Sequence, residues 1–408
     1  MIAAGDVVSC LVEKPAAGGR MIARVDGLVV LVAGAIPGEQ VTASIERVGK
    51  GVAYAQVVSI EQPSPDRRPS AGDPLCGGCL YSYIDYSRQL TLKAAVIADA
   101  FARIAKLALP SDVVVAASPE DGYRMRARLH LREGRVGFFR EGTHDLCDPR
   151  QTRQLLPATC DTLARMAEAM GDAGPSAVRE IEITENVDAT DRVVQFDGPV
   201  DAASADRLAA VEGVTGVVFG RDVRGSAFVS DRIAGVQLRR HVGSFFQGNR
   251  FLLADLVAAV VGHVPEGIDL VDLYAGTGLF SIAAAVSRSA RVTAVEGDPF
   301  GAADLAANAK SAAAFVRPHH QSVETFLDKP RTAGCVIVDP PRTGMSRQAL
   351  DGLVRMSAPR IVYVSCDVAT LARDARKLSD QGYTISSVEA FDLFPNTPHV
   401  EVVGVFEK

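Results

Sequence analysis

A chain of 408 residues, 48% hydrophobic and 23% charged, is too long for one compact core and has the make-up of an ordinary globular protein of two or three domains. Its net charge of −6 gives no overall pull toward nucleic acid, so such a contact has to come from a local patch. No run of about 18 apolar residues marks a membrane span.

The N-terminal stretch MIAAGDVVSCLVEKP lacks the basic start and apolar block of a signal peptide. Seven scattered cysteines suit a reducing cytoplasm better than a disulfide framework. Residues 1–62 read as short strands and turns, with a hairpin signal at Asp26-Gly27 and further turns at Pro37-Gly38 and Gly49-Lys50-Gly51; this predicts a small OB-like barrel, a fold that often binds oligonucleotides. The proline-rich, polar Gln62–Pro74 reads as a linker. A CGGC follows, then a helix over about Ser87–Ala105.

The one basic patch lies in YRMRARLHLREGRVGFFR, Tyr123–Arg140. Arg124, Arg126 and Arg128 alternate, so a strand places all three on one face, with His130 and Arg132 continuing the row. A solvated face and a phosphate-contacting face are equally open.

From residue 241 onward strand, glycine turn and helix alternate, the signature of a doubly wound parallel sheet. An apolar strand, Ile268–Leu273, precedes Gly276-Thr277-Gly278 and a helix near Leu279, and a second strand ends in Glu296, about twenty residues on. Glycines let backbone approach a ligand there, and the acid can accept hydrogen bonds from ribose hydroxyls. The third glycine of a dinucleotide fingerprint is replaced by Ser281, which suits a ligand without a pyrophosphate, such as S-adenosylmethionine. A third strand ends in Asp339-Pro340-Pro341-Arg342, and another, Val362–Ser365, runs into Cys366. By position alone that thiol is either a small buried apolar group or a reactive group at the crevice.

In order, FFQGN (Phe245–Asn249), DLYAGTGLF, VEGD, DPPRTG, VYVSCDVATLARD and FPNTPHVE (Phe394–Glu401) resemble the S-adenosylmethionine-dependent RNA uracil-5-methyltransferases. More narrowly they resemble the branch with an N-terminal TRAM domain that modifies 23S rRNA. The resemblance covers nearly the whole chain. It implies an α/β protein with a C-terminal Rossmann-like class I methyltransferase sheet (241–408), an OB-like TRAM β-barrel (1–62) and a mixed α+β central domain (63–240).

Cys366 matches the nucleophile that attacks carbon 6 of uracil, and Glu401 the base that removes the proton on carbon 5. The cofactor contacts implied are Gln247, Tyr274, Leu279 by its backbone, Glu296 and Asp339, beside Gly276 and Gly278. Arg342 would hold a phosphate or the uracil edge, with Arg124, Arg126 and Arg128 on RNA. A helix N-terminus near Ala369 would lower the Cys366 thiol pKa, whereas Asp367 beside it would raise it. A cytoplasmic monomer acting on RNA, without a membrane, completes the expectation.

Many members of this branch carry an iron–sulfur cluster on four cysteines. Cys76 and Cys79 match two of the ligands, but Ser70 and Thr152 stand at the other two places, and the spacing of Cys147 and Cys160 does not make them replacements. An intact cluster is therefore not expected. The rival readings are a tRNA uridine methyltransferase and a non-catalytic RNA-binding protein. Exocyclic-amine methyltransferases typically use Asn-Pro-Pro-aromatic where this chain has Asp-Pro-Pro-Arg.

Overall fold

The computed structural model describes residues 2–70, 72–140, 142–171, 178–312 and 315–408. Its N-terminal part is a closed five-stranded barrel, Val7–Pro15, Met21–Val25, Leu28–Ala33, Gln40–Gly49 and Val52–Gln62. Alternation puts Val12, Met21, Ala23, Val30, Val32, Val41 and Ala53 inside. Asp26 and Gly27 both take positive φ, 50° and 80°, the two-residue turn whose twist matches a hairpin. The first hairpin loop reaches the far end of the chain: a Cβ on Gly19 would stand 2.9 Å from Pro398 Cγ.

The expected linker is bolted down. Arg67 donates to both carboxylate oxygens of the buried Glu39, each at 2.7 Å. Arg68 pairs with Glu120 and donates to Asn396 Oδ1 at 2.9 Å. Proline content and polarity announced an irregular segment, but not that its two arginines are anchors.

The central part holds a seven-stranded sheet, including Arg126–Arg132 and Glu180–Glu185, packed on helices Pro157–Met170 and Ala202–Ala209. Where it meets the C-terminal part, Glu185 is buried and takes Arg192 Nε at 2.5 Å and Arg250 Nη2 at 2.6 Å.

The third part is an eight-stranded sheet in the order Val316–His320, Arg291–Glu296, Asp269–Leu273, Cys335–Val338, Arg360–Ser365, Glu401–Glu407, Thr384–Phe391, Val115–Ala116. The first five are parallel, and Glu401–Glu407 runs antiparallel to both its neighbours. The strand order reverses between Asp269–Leu273 and Cys335–Val338, and such a switch point opens a crevice at the carboxyl ends of the strands.

Residues 86–116 join this unit rather than the central sheet. Helix Tyr86–Ala100, its π-helical extension Phe101–Ala105 and strand Val115–Ala116 contribute Ile97, Phe101, Ala105 and Val115 to the core shared with Leu353 and Leu371. The boundaries drawn from sequence at 63–240 and 241–408 therefore cut across the packing. Linker composition is visible in a sequence, whereas a return of the chain to a distant sheet edge is not.

Glu185→Ala should leave two buried arginines without their shared carboxylate. An unfolding free energy about 3 kcal/mol lower, by urea titration, is the expected result; a loss under about 1 kcal/mol would mean that the cluster behaves like a surface ion pair.

Candidate active site

Strand register assembles the site. Leu273 is level with Val295 on one side and with Val338 on the other, so Tyr274, Glu296 and Asp339 emerge side by side at the carboxyl edge. Val338 is level with Tyr363, which brings Cys366 into the same row. Ser365 faces Val402 across the antiparallel pair, and one further step puts Cys366 opposite Glu401. Ordinary parallel strands deliver the first four groups, and the single reversed strand delivers its N-terminal Glu401 to the same edge.

These residues line a cavity of about 620 Å³ with Gln247, Gly276 and Leu279. The Glu296 carboxylate is held by two backbone amides, Gly276 N at 2.7 Å and Asp298 N at 2.6 Å. Gln247 Nε2 donates to Asp339 Oδ2 at 3.3 Å. The glycines of the turn differ in purpose. A Cβ at Gly278 would lie 2.8 Å from Leu305, whereas one at Gly276 would meet nothing within 4 Å. Packing demands the first, while the second has φ 54° and leaves the cavity side open. Tyr274, with φ 62°, carries its side chain on a left-handed backbone at the mouth of the site.

Five carboxyl groups, Glu296, Asp298, Glu324, Asp339 and Glu401, line the cavity against one cation, Arg342, among the described residues. The hydroxyl of Thr277, also in the lining, is buried without a partner. A cationic, hydroxyl-bearing ligand of the size of S-adenosylmethionine fits this donor and acceptor set, which offers carboxylate acceptors to hydroxyls and negative charge to a cation.

Burial, then Glu401, pushes the Cys366 thiol up to about 12, and Arg342, which hydrogen-bonds it, pulls the other way. Burial and then Asp339 raise Glu401 well above the usual carboxyl range, again against Arg342. Asp339 itself is pushed up to about 7 by burial and then Asp272. His399 is pushed down to about 4 by burial and then Arg342, so its ring is neutral.

The expectation that a helix N-terminus lowers the Cys366 pKa is overturned in the ligand-free protein. That helix begins at Val368, and Asp367 caps it, its side chain accepting Thr370 N at 2.8 Å. The cap acid neutralises the helix end, and burial beside Glu401 dominates.

The arginine row lies on one strand face, but its charges face acids. Arg126 pairs with Glu182, while Arg128 stands 3.8 Å from both Glu180 and Glu182. The adjacent strand repeats acids at the same period-two spacing, with Glu182 level with Arg128 and Glu180 with His130. Arg124 lies just before the strand, donates to Gln154 and sits with its guanidinium carbon 6.0 Å from the Phe394 ring, at the cavity.

The residues at the expected cluster position do not fit an iron–sulfur group. Ser70 Oγ is 2.7 Å from Gly72 O and 2.6 Å from Ser82 Oγ, and Thr152 Oγ1 donates to Pro149 O at 2.8 Å. Cys76 is joined to Cys147, with the Cα atoms 6.2 Å apart, a single pair among seven cysteines rather than a framework. The two cysteines meet because Cys76 bridges to Arg140 and Cys147 lies on the strand paired with Phe138. Cys79 alone keeps a free thiol there; it is buried and raised to about 11, chiefly by burial. Cys160, also buried, lies on helix Pro157–Met170.

Sequence reading missed the supports of the site: Gln89, Lys93 and Asn396. The available signal was a lysine four residues before Ile97 on the apolar stripe of a helix, where an exposed position was due.

The chain is similar to known RNA methyltransferases. The family profile described as tRNA (Uracil-5-)-methyltransferase matches residues 300–408, and the TRAM domain profile residues 4–58. A 23S rRNA (uracil(1939)-C(5))-methyltransferase of Methylococcus capsulatus is 32% identical, over 98% of this chain and 97% of its own length. An uncharacterised RNA methyltransferase of Gloeobacter violaceus is 31% identical over 99% of this chain and 97% of its own. The crystal structure of a Pyrococcus abyssi tRNA (uracil-54, C5)-methyltransferase with S-adenosyl-L-homocysteine superposes with a TM-score of 0.77 at 23% identity, covering 98% of this chain and 100% of that one. At that identity the likeness is one of fold.

Cys366 is the one free cysteine that is not buried, so iodoacetamide reports on it selectively. With a thiol raised to about 12, the protonated form prevails below that pH. Alkylation of the ligand-free protein should therefore climb ~10-fold per pH unit between pH 7 and 9, and Arg342→Met should slow it at any fixed pH. A plateau by pH 8 is the contrary result. Elemental analysis of protein purified without oxygen should find no stoichiometric iron.

Proposed function

We propose that this chain, which belongs to the S-adenosylmethionine-dependent RNA uracil-5-methyltransferase family, methylates carbon 5 of a uridine in 23S rRNA. The observation that carries the reading is the placing of Cys366 opposite Glu401 on adjacent strands, at the rim of a carboxyl-lined cavity. The Methylococcus capsulatus relative favours the ribosomal substrate, being similar along the whole length. A monomer acting on RNA in the cytoplasm is part of this reading; no described helix is long and apolar enough to cross a membrane.

S-adenosylmethionine, when bound, supplies an electrophilic methyl group. The chain's own groups do the rest. The target base leaves its stack to reach the cavity, where Arg342 and the rings of Phe245 and Phe394 are available to it. Once its proton has passed to solvent, the Cys366 thiolate forms a bond to carbon 6, and the carbon 5–carbon 6 π pair moves to carbon 5 and the carbonyl oxygen at carbon 4. Carbon 5 thereby becomes the nucleophile that accepts the methyl group. Glu401 then takes the proton on carbon 5, that electron pair restores the double bond, and the sulfur–carbon 6 pair returns to Cys366.

Cys366 must lose its proton before it attacks and Glu401 before it can act as base, and burial raises the pKa of both. A positive charge among five carboxyl groups lowers the pKa of Cys366, Asp339 and Glu401 together. A bound cation would thus favour the ionised forms of Cys366 and Glu401 that the reaction needs. Arg124, at the rim, and Arg128, with 65% of its side chain exposed, join Arg342 in contacting phosphate, while Arg126 is held by Glu182.

Transcripts of 23S rRNA and of tRNA containing 5-fluorouridine test the reading. Fluorine cannot leave as a proton, so the enzyme should trap itself on 23S rRNA in a band that survives denaturation. Cys366→Ala should abolish that band while leaving RNA binding within about 2-fold. A band on tRNA alone moves the substrate, and RNA binding with no band at all sinks the enzymatic reading.

A further inference from the structure

Glu401 opens its strand straight after the irregular segment 392–400, so the sheet holds it on one side and that segment leads into it on the other. Strand pairing holds Glu401 opposite Phe391 and Val402 opposite Ser365, but the segment before Glu401 is outside the sheet and is held by other groups. The holding groups lie some 300 residues earlier, on helix Tyr86–Ala100. Lys93 Nζ donates to Asp392 Oδ1 at 2.5 Å and to Phe394 O at 3.2 Å, with the side chains 1% and 0% exposed. One turn before it, Gln89 Nε2 donates to Asn396 Oδ1 at 2.9 Å, and Gln89 Oε1 accepts Asn396 N at 3.0 Å. Tyr81 N donates to Asn396 O at 2.8 Å, so Asn396 is gripped on both side chain and backbone.

A lysine–aspartate pair fully removed from water is a poor device for stability, since an apolar pair of similar volume is commonly no worse. Its value lies in direction. An apolar contact tolerates sliding, whereas an ammonium between a carboxylate and a carbonyl, next to a two-way amide pair, fixes both register and rotation of the segment.

Resting on the methyltransferase reading above, we propose that Lys93 and Gln89 are positioning residues for the final proton removal. They lock segment 392–400 so that the Glu401 carboxyl meets carbon 5 after the methyl group has arrived. They touch neither substrate nor cofactor. Loosening them leaves attack by Cys366 and methyl transfer in place and slows the step in which Glu401 takes the proton, the carbon 5–carbon 6 double bond re-forms and the sulfur leaves. The species that must then accumulate is the methylated uridine still bonded to Cys366.

The test uses the full-length protein, S-adenosylmethionine and RNA with ordinary uridine. Lys93→Met and Gln89→Ala are compared with wild type and with Glu401→Gln for kcat, KM for RNA, and the fraction of protein in a denaturation-stable RNA complex. Each positioning variant should lose ~10-fold in kcat with KM little changed, and should accumulate the complex as Glu401→Gln does. If Lys93→Met does not fold, Lys93→Met/Asp392→Leu, which removes both charges, and Gln89→Ala, which keeps the ion pair, decide the matter. Turnover that falls without accumulation in folded variants, or that does not fall, overturns the proposal. The 5-fluorouridine band of the wild type separates the two claims: its absence removes the methyltransferase reading itself, and its presence without accumulation in the variants removes only the positioning role.

Discussion

The structure depends on one reversed strand. Five parallel strands can line up only their own carboxyl ends at a crevice, and each then feeds a loop or helix that leads away from it. Inserting Glu401–Glu407 antiparallel against Arg360–Ser365 brings a strand start to that edge, so Glu401 stands across from Cys366 without a long loop to carry it. Backbone hydrogen bonding then sets the separation of nucleophile and base as firmly as it sets the sheet. A one-residue slip would turn Glu401 to the other face.

That economy has an electrostatic consequence. Asp272, Asp339 and Glu401 crowd into a buried region, and each carries a raised pKa with burial as the first cause. Hydrogen bonds from Ser281 and Gln247 pull against the shifts of Asp272 and Asp339, and Arg342 against that of Glu401. The site thus gathers acids whose pKa is raised by burial around a thiol raised by the same cause. Such a thiol is poorly reactive toward stray electrophiles, and the same carboxyls that suppress it make the site receptive to a cation. Affinity for the positively charged cofactor and control of the nucleophile come from one arrangement of charge.

Much of this was legible in the chain itself. The switch from barrel-like to strand–turn–helix patterning, the Asp26-Gly27 hairpin and the acid at Glu296 follow from local periodicity and turn chemistry, and local rules held there. Cys366 and Glu401 were legible only through a run of six ordered motifs; by position alone the thiol was open between a buried group and a reactive one, and nothing local singled out the glutamate. Three things escaped. The Arg126–Arg128 row was visible, but the complementary Glu180–Glu182 row lay fifty residues away, and pairing across strands is not written in either. The Asp367 cap looked like a simple neighbour of the thiol, because its hydrogen bond to Thr370 is a property of backbone geometry. The supports Gln89 and Lys93 were read as part of an amphipathic helix, since nothing near them in sequence names Asp392 or Asn396.

The contact between Lys93 and Asp392 also has a history in time. The two residues are separated by 299 positions, so at ~5–20 residues per second the helix carrying Lys93 waits tens of seconds for its partner to be synthesised. Through that interval an ammonium destined for complete burial has to stay hydrated. The barrel can close meanwhile, but the helix cannot take its final seat, nor the hairpin loop at Gly19 its rest on Pro398, until the last segment is made. The catalytic end of this molecule is therefore its keystone: the final twenty residues are what let the first hundred settle.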